Sequence, residues 1–137
     1  MAVNGLSTIK SNNGPQETMV RLEAAVTAKG MTVFARIDHG AGAVEAGLPL
    51  RSTDLLIFGD PKGGTPVMQS VQTAAIDLPL KALVWQDKAG TTWLSYNVPA
   101  WIADRHGAGP ETEAAIHAMA AALDAIAASA TSASANQ

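Results

Sequence analysis

The chain of 137 residues contains no cysteine, which excludes disulfides, thiolate metal sites and thiol chemistry and fits a cytoplasmic protein. Clustered positive charge is missing too. The nine basic residues, Lys10, Arg21, Lys29, Arg36, Arg51, Lys62, Lys81, Lys88 and Arg105, stand singly against twelve acidic ones. No basic stripe therefore offers itself to nucleic acid or to an anionic membrane. No apolar run approaches the roughly 20 residues of a membrane span. Residues Met1 to Leu6 lack the basic and then apolar segments of a secretory signal. The expectation is a soluble, cytoplasmic protein with neither a nucleic-acid nor a membrane partner.

Familiar catalytic signatures are also absent. Gly59 and Gly64, with four residues between them and Thr65 following, imitate a phosphate-binding loop, but no lysine follows the second glycine and Lys62 lies inside the loop instead. Gly40-Ala41-Gly42 ends its fingerprint on Glu45 and fails as a dinucleotide site. There is no GxSxG, no HExxH and no cysteine nucleophile.

What is present is a globular composition, 47% hydrophobic and 15% charged, enough for one domain with its own core. The stretch that organises the chain is Leu55 to Met68. Leu55 to Phe58 is too short for a helix and too apolar for a half-exposed strand, and reads as a central strand covered on both faces. Gly59 ends it. Thr65 then offers an N-cap and Pro66 a first helical residue, leaving the N–H groups of Gly63, Gly64 and Thr65 near an open helix start that suits an anion.

Around this stretch, Gly5 to Lys10 is a strand candidate, and the stripe Met19, Leu22, Val26 after Pro15 marks a helix ending at Gly30, capped by Asn13 or Ser11. Met31 to Ile37 alternates and predicts a strand with one face on the core, followed by a short helix from Ala41 to Ala46. Ala82 to Trp85 and Thr91 to Tyr96 predict a hairpin turning through Asp87 to Gly90. Asn97 is placed to cap a short helix from Pro99 to His106, and Ile116, Met119, Leu123 and Ile126 stripe a last helix from Glu111 to Ala127. Residues 1–128 form a single domain in this reading, and residues 129–137 a flexible alanine- and serine-rich tail.

Seven residues are candidates for a ligand site: His39, Lys62, Gly63, Gly64, Thr65, Tyr96 and His106. His39 and His106 fall at element ends beside Asp38 and Arg105, where functional groups collect. Brought together with Glu45 they would make a divalent metal site or an acid–base pair; no metal ligand is assigned from spacing alone. Trp85, Trp93, Tyr96 and Trp101 line a pocket or fill a core. The leading reading is a module that binds a small anionic ligand, its cofactors unknown. The alternatives are a small cofactor-free enzyme with His39 or His106 as general base, oriented by Asp38 or Asp77, and a metal or haem binder built on the same histidines.

Asp38-His39, Phe58-Gly59-Asp60-Pro61-Lys62-Gly63-Gly64-Thr65-Pro66, Asp77-Leu78-Pro79-Leu80-Lys81, Trp93-Leu94-Ser95-Tyr96-Asn97 and Arg105-His106 together resemble the DUF302 family, also called TT1751-like. The resemblance runs from about Ile9 to the final helix, with Asp60 where the family pattern has asparagine. It implies an α+β fold, a mainly antiparallel sheet of about five strands with helices packed against it, in β-α-β-β-β-β-α order. It also implies a homodimer. The family is named for unknown function, so the resemblance supplies no catalytic residue.

Overall fold

Five alternating segments form one antiparallel sheet: β1 (Leu6–Lys10), β2 (Thr32–Asp38), β3 (Thr53–Gly59), β4 (Leu80–Gln86) and β5 (Thr92–Asn97), in the order β1-β5-β4-β3-β2. The computed structural model describes residues 2 to 133. Its helices are α1 (Pro15–Ala28), α2 (His39–Glu45), α3 (Pro61–Ser70), α4 (Pro99–His106) and α5 (Glu113–Thr131), with short 3-10 segments at Gln72–Ile76 and Pro110–Thr112. This is the α+β architecture expected from the sequence.

The core lies between one face of the sheet and helices α1 and α5. Met19, Leu22 and Val26 of α1 recur at helical spacing, as do Ile116, Met119, Leu123 and Ile126 of α5. They meet Leu56 and Phe58 of β3, Ala82 and Val84 of β4, and Leu94 and Tyr96 of β5, which recur at a spacing of two. Burying a leucine or phenylalanine at such a position contributes about 1.5–3 kcal/mol. On the opposite face Leu55, Ile57, Leu83, Trp85 and Trp93 are half-buried. Trp85 and Trp93 stack there with centroids 6.2 Å apart.

The hairpin forms as expected. Gly90 takes φ +87°, and the Asp87 carboxylate accepts from the N–H groups of Ala89 and Thr91 at 2.9 Å each. Trp93 Nε1 donates to the other oxygen of Asp87 at 2.8 Å.

Several local expectations give way to the three-dimensional arrangement. β3 lies next to the sheet edge, with one face on the helices rather than both. β2, expected to face the core, is an edge strand and all seven of its residues are exposed. A bulge between Val33 and Ala35 also breaks its alternation. Arg36 fastens β2 to β3, its Nε and Nη2 donating to Asp54 at 3.0 and 2.5 Å. Three helix starts differ from expectation: Gly14 caps α1, Val98 precedes α4, and α2 begins at His39 with the Asp38 carboxylate accepting from the Ala41 N–H at 2.8 Å. The final helix runs past Ala128 to Thr131, because Ala130 and Thr131 are buried and the Asn12 and Asn13 side chains donate to its last carbonyls. Residues 134–137 of the expected tail lie outside the described residues.

Candidate functional site

Asp60, rather than Thr65, starts α3. Its carboxylate accepts from the Lys62 N–H at 3.0 Å, and its carbonyl accepts from the N–H groups of Gly63 and Gly64 at 2.9 and 3.1 Å. The first turn of α3 is therefore closed by the chain's own acid, and Thr65 and Pro66 sit inside the helix. A free anion would meet a carboxylate here, not open donors. The sequence cue was misleading because Asp60-Pro61 is itself a capping pair, one turn earlier than Thr65-Pro66.

The same residues border a cavity. It has a volume of about 340 Å³ and opens at the Gly59 end of β3, where Gly63, Gly64 and Thr65 form one wall. Met31, Phe34, Met68 and Met119 supply most of the rest, together with the Leu78-Pro79-Leu80 entry to β4. The bulge in β2 sits beside Phe34, and a Cβ built on Gly59 would lie 3.8 Å from the Phe34 ring and 3.6 Å from Pro79. A Cβ on Gly64 would lie 3.7 Å from the Met68 methyl. Three thioethers and a phenyl ring make a soft, adaptable lining, and Asp60 is its charged member.

Behind the Leu78-Pro79 wall stands a polar cluster joining the 3-10 segment Gln72–Ile76 to the end of α4. His106 Nε2 lies 2.6 Å from Asp77 Oδ2, and His106 Nδ1 lies 3.0 Å from the Thr73 hydroxyl. Arg105 Nη1 donates to both oxygens of Asp77 at 2.9 and 2.7 Å, while its guanidinium lies 5.9 Å from the centre of the Trp101 ring. Burial opposes ionisation of Asp77, but hydrogen bonds from His106 and then Arg105 outweigh it and hold the carboxyl below its ordinary range. An ionised carboxylate only accepts, so Nε2 carries the ring hydrogen, and in the neutral ring Nδ1 accepts from Thr73. Lys81 Nζ donates to the carbonyls of Asp77 and Pro79 at 3.3 and 3.0 Å, and burial lowers its pKa against the opposing pull of Asp77.

The seven candidate residues are thus dispersed. Gly63, Gly64 and Thr65 line the cavity, and Lys62 is exposed beside it. His106 belongs to the Asp77 cluster. Tyr96 is buried in the core, its hydroxyl donating to Asp124 at 2.7 Å. His39 is exposed at the other end of the sheet: Asp38 pairs with Asp54 at the start of β3, whereas Leu80, just after the Asp77 cluster, pairs with Phe58 near its end. The site shared by His39, His106 and Glu45 is therefore not formed. Among the described residues no group of three His, Asp or Glu side chains is placed to hold a metal ion. Trp85, Trp93 and Trp101 lie outside the cavity wall. Sequence reasoning missed Thr73, whose four-residue spacing to Asp77 was the available signal, and the methionines, which were read as core.

Comparison with known proteins bears on this arrangement. The chain is 49% identical over 116 residues to the "Fluoride-specific ion channel FluC 1" of Brucella suis biovar 1 (strain 1330), covering 85% of this chain and 46% of that protein. A "Fluoride-specific ion channel FluC 2" of Brucella melitensis biotype 1 (strain ATCC 23456 / CCUG 17765 / NCTC 10094 / 16M) is 49% identical over the same length, covering 85% of this chain and 43% of that protein. The chain thus spans less than half the length of these curated relatives. A crystal structure of an uncharacterized conserved protein DUF302 from Bacillus stearothermophilus superimposes with a TM-score of 0.80 at 22% identity, covering 90% of this chain and 96% of that one, and so shares the fold. The family model described as "Domain of unknown function DUF302" matches residues 7–126, nearly the whole sheet and its helices, and the chain belongs to the DUF302 family.

Proposed function

We propose that the chain is a binding module for a small, mainly apolar ligand held in the cavity at the Gly59 end of the sheet. The observation that carries this reading is the lining: Met31, Met68, Met119, Phe34 and Leu78 around a volume of about 340 Å³, within the range of small-molecule sites. The anion expected from the glycine loop is set aside, because Asp60 occupies the helix start that would have held it. The test is titration with an apolar fluorescent dye, followed by native mass spectrometry of untagged protein. Gly64→Phe should abolish dye binding with the fold retained, since its side chain projects toward Met68 and Leu78. Undiminished binding by Gly64→Phe would sink the reading.

The channel activity named for the Brucella proteins is not carried to this chain. Among the described residues one helical stretch, Pro110–Thr131, is long and apolar enough to cross a membrane, and Ile116, Met119, Leu123 and Ile126 within it are built into the core. We propose that the portion of those relatives similar to this chain is a ligand-binding part working on the cytoplasmic side.

A homodimer is proposed from a separate observation. The stretch from Thr32 to Ser52 buries only Gly40, while Phe34, Ile37, Val44, Leu48 and Leu50 are 51%, 41%, 67%, 63% and 48% exposed. An ordered edge strand with this much apolar surface needs cover, and an antiparallel edge can pair with its own copy about a two-fold axis. Light scattering should give twice the chain mass, and Ile37→Glu should return the monomer. A monomeric parent protein at high micromolar concentration would refute it.

A further inference from the structure

We propose that Thr73, His106 and Asp77 form a nucleophilic acyl-transfer site that cleaves small, accessible esters, with Thr73 as nucleophile and His106 as general base. The three side chains make an unbroken series, Thr73 Oγ1 to His106 Nδ1 at 3.0 Å and His106 Nε2 to Asp77 Oδ2 at 2.6 Å. The hydroxyl end faces solvent, while the side chains of His106 and Asp77 are only 9% and 14% exposed. The base is thereby shielded and the nucleophile open to an incoming substrate. Asp77 fixes the ring hydrogen on Nε2 and so turns the Nδ1 lone pair onto the Thr73 hydroxyl. Arg105 grips both oxygens of Asp77 and fixes the carboxylate in turn. A tie that merely fastened α4 to the 3-10 segment would be complete with the ion pairs to Asp77. It would leave the second ring nitrogen to water, which the surface supplies freely. Instead a secondary hydroxyl is placed on that nitrogen at the distance a proton transfer needs.

The chemistry balances without a co-reactant other than water. Thr73 Oγ1 bonds to the carbonyl carbon of the ester as its proton passes to His106 Nδ1. The bond from that carbon to the alkoxy oxygen then breaks, and Nδ1 returns the proton to the leaving alcohol. Water attacks the acyl-threonine, gives a proton to Nδ1, and releases the carboxylic acid as the Thr73 hydroxyl is restored. Thr73 and His106 touch the reacting atoms; Asp77 is a positioning residue.

The experiment uses p-nitrophenyl acetate on the intact chain, reading p-nitrophenol release together with intact mass and peptide mapping. One acetyl group per chain on Thr73 is expected, with turnover. Thr73→Val, at an exposed position where the fold is retained, should lose both the adduct and roughly 100-fold in rate, and Thr73→Ser should restore them. Asp77→Asn should lower kcat with KM little changed, and Asp77→Glu, which keeps a carboxylate for Nε2, should recover part of the loss, a split that a purely structural role would not produce. Acetylation confined to lysines or the amino terminus, or an unchanged rate in Thr73→Val, would overturn the proposal. The outcome is separable from the cavity reading, which is tested at Gly64.

Discussion

The Tyr96 hydroxyl donates to Asp124 Oδ1 at 2.7 Å and so pins the centre of β5 to the middle of α5. Tyr96 is 6% exposed, and its replacement by phenylalanine leaves the Asp124 carboxylate to solvent. Tyr96→Phe should cost about 1 kcal/mol, measured by urea denaturation. Burial, and then Asp124, raise the phenol above its ordinary value of 10.0. A raised folded pKa means that this contribution is complete below the ordinary value and fades as pH climbs through the folded one. The alkaline loss of stability should be smaller in Tyr96→Phe.

Asp77 has the opposite sign. Its carboxyl is held below the ordinary value of 3.8, so its contribution is full above that value and disappears as pH falls through the folded one. Thermal melts between about pH 5 and pH 2 should show a steeper acid loss in the parent protein than in Asp77→Asn.

Gly5 is irreplaceable for two reasons that act together. Its φ is +76°, and a Cβ would lie 2.2 Å from the Trp101 ring. Its carbonyl also accepts the Val98 N–H at 2.8 Å, closing the start of α4 onto β1. Gly5→Ala should destabilise by roughly 2–3 kcal/mol, from left-handed strain and overpacking combined. Gly14→Ala, with open space around it, serves as the control in the same denaturation series.

Removing residues from Ser129 onward should lower stability by about 2 kcal/mol, because buried Ala130 and Thr131 and the carbonyls that receive Asn12 and Asn13 go with them. A flexible tail would be removed at no cost. Differential scanning calorimetry of the truncated and full chains separates the two.

Much of this fold is legible from residue patterns, for reasons visible in particular elements. The α1 and α5 stripes pack whole helices on one sheet face, so helical periodicity and burial coincide at Leu22 and Leu123. The β4–β5 hairpin is local, and Asp87 and Gly90 specify its turn without help from distant residues. The β2 expectation fails because position within a sheet is not local: Val33 and Ile37 alternate like core residues yet stay 39% and 41% exposed on an edge strand. The candidate site was legible only in halves. Asp77 is one of two acids the sequence offers to orient a histidine base, and the structure joins it to His106 at 2.6 Å. Thr73 carries no charge and no motif, and Met31 before β2, Met68 in α3 and Met119 in α5 enter one cavity only through the folding of a stretch from residue 31 to residue 119. The anion loop failed on a one-turn shift in where α3 begins, which Asp60 decides.

The bulge between Val33 and Ala35 has a mechanical consequence. With one residue more on β2 than on β3 at this point, Phe34 stands out of step with the pleat and beside the cavity mouth. The width of the opening is then a matter of strand register rather than of side-chain size. Straightening β2 by a single residue would swing the ring away and widen the entrance, while every hydrogen bond between Arg36 and Asp54 farther along the strand stayed in place. Access to the cavity is thus set on an edge strand, which a neighbouring strand restrains on one side only.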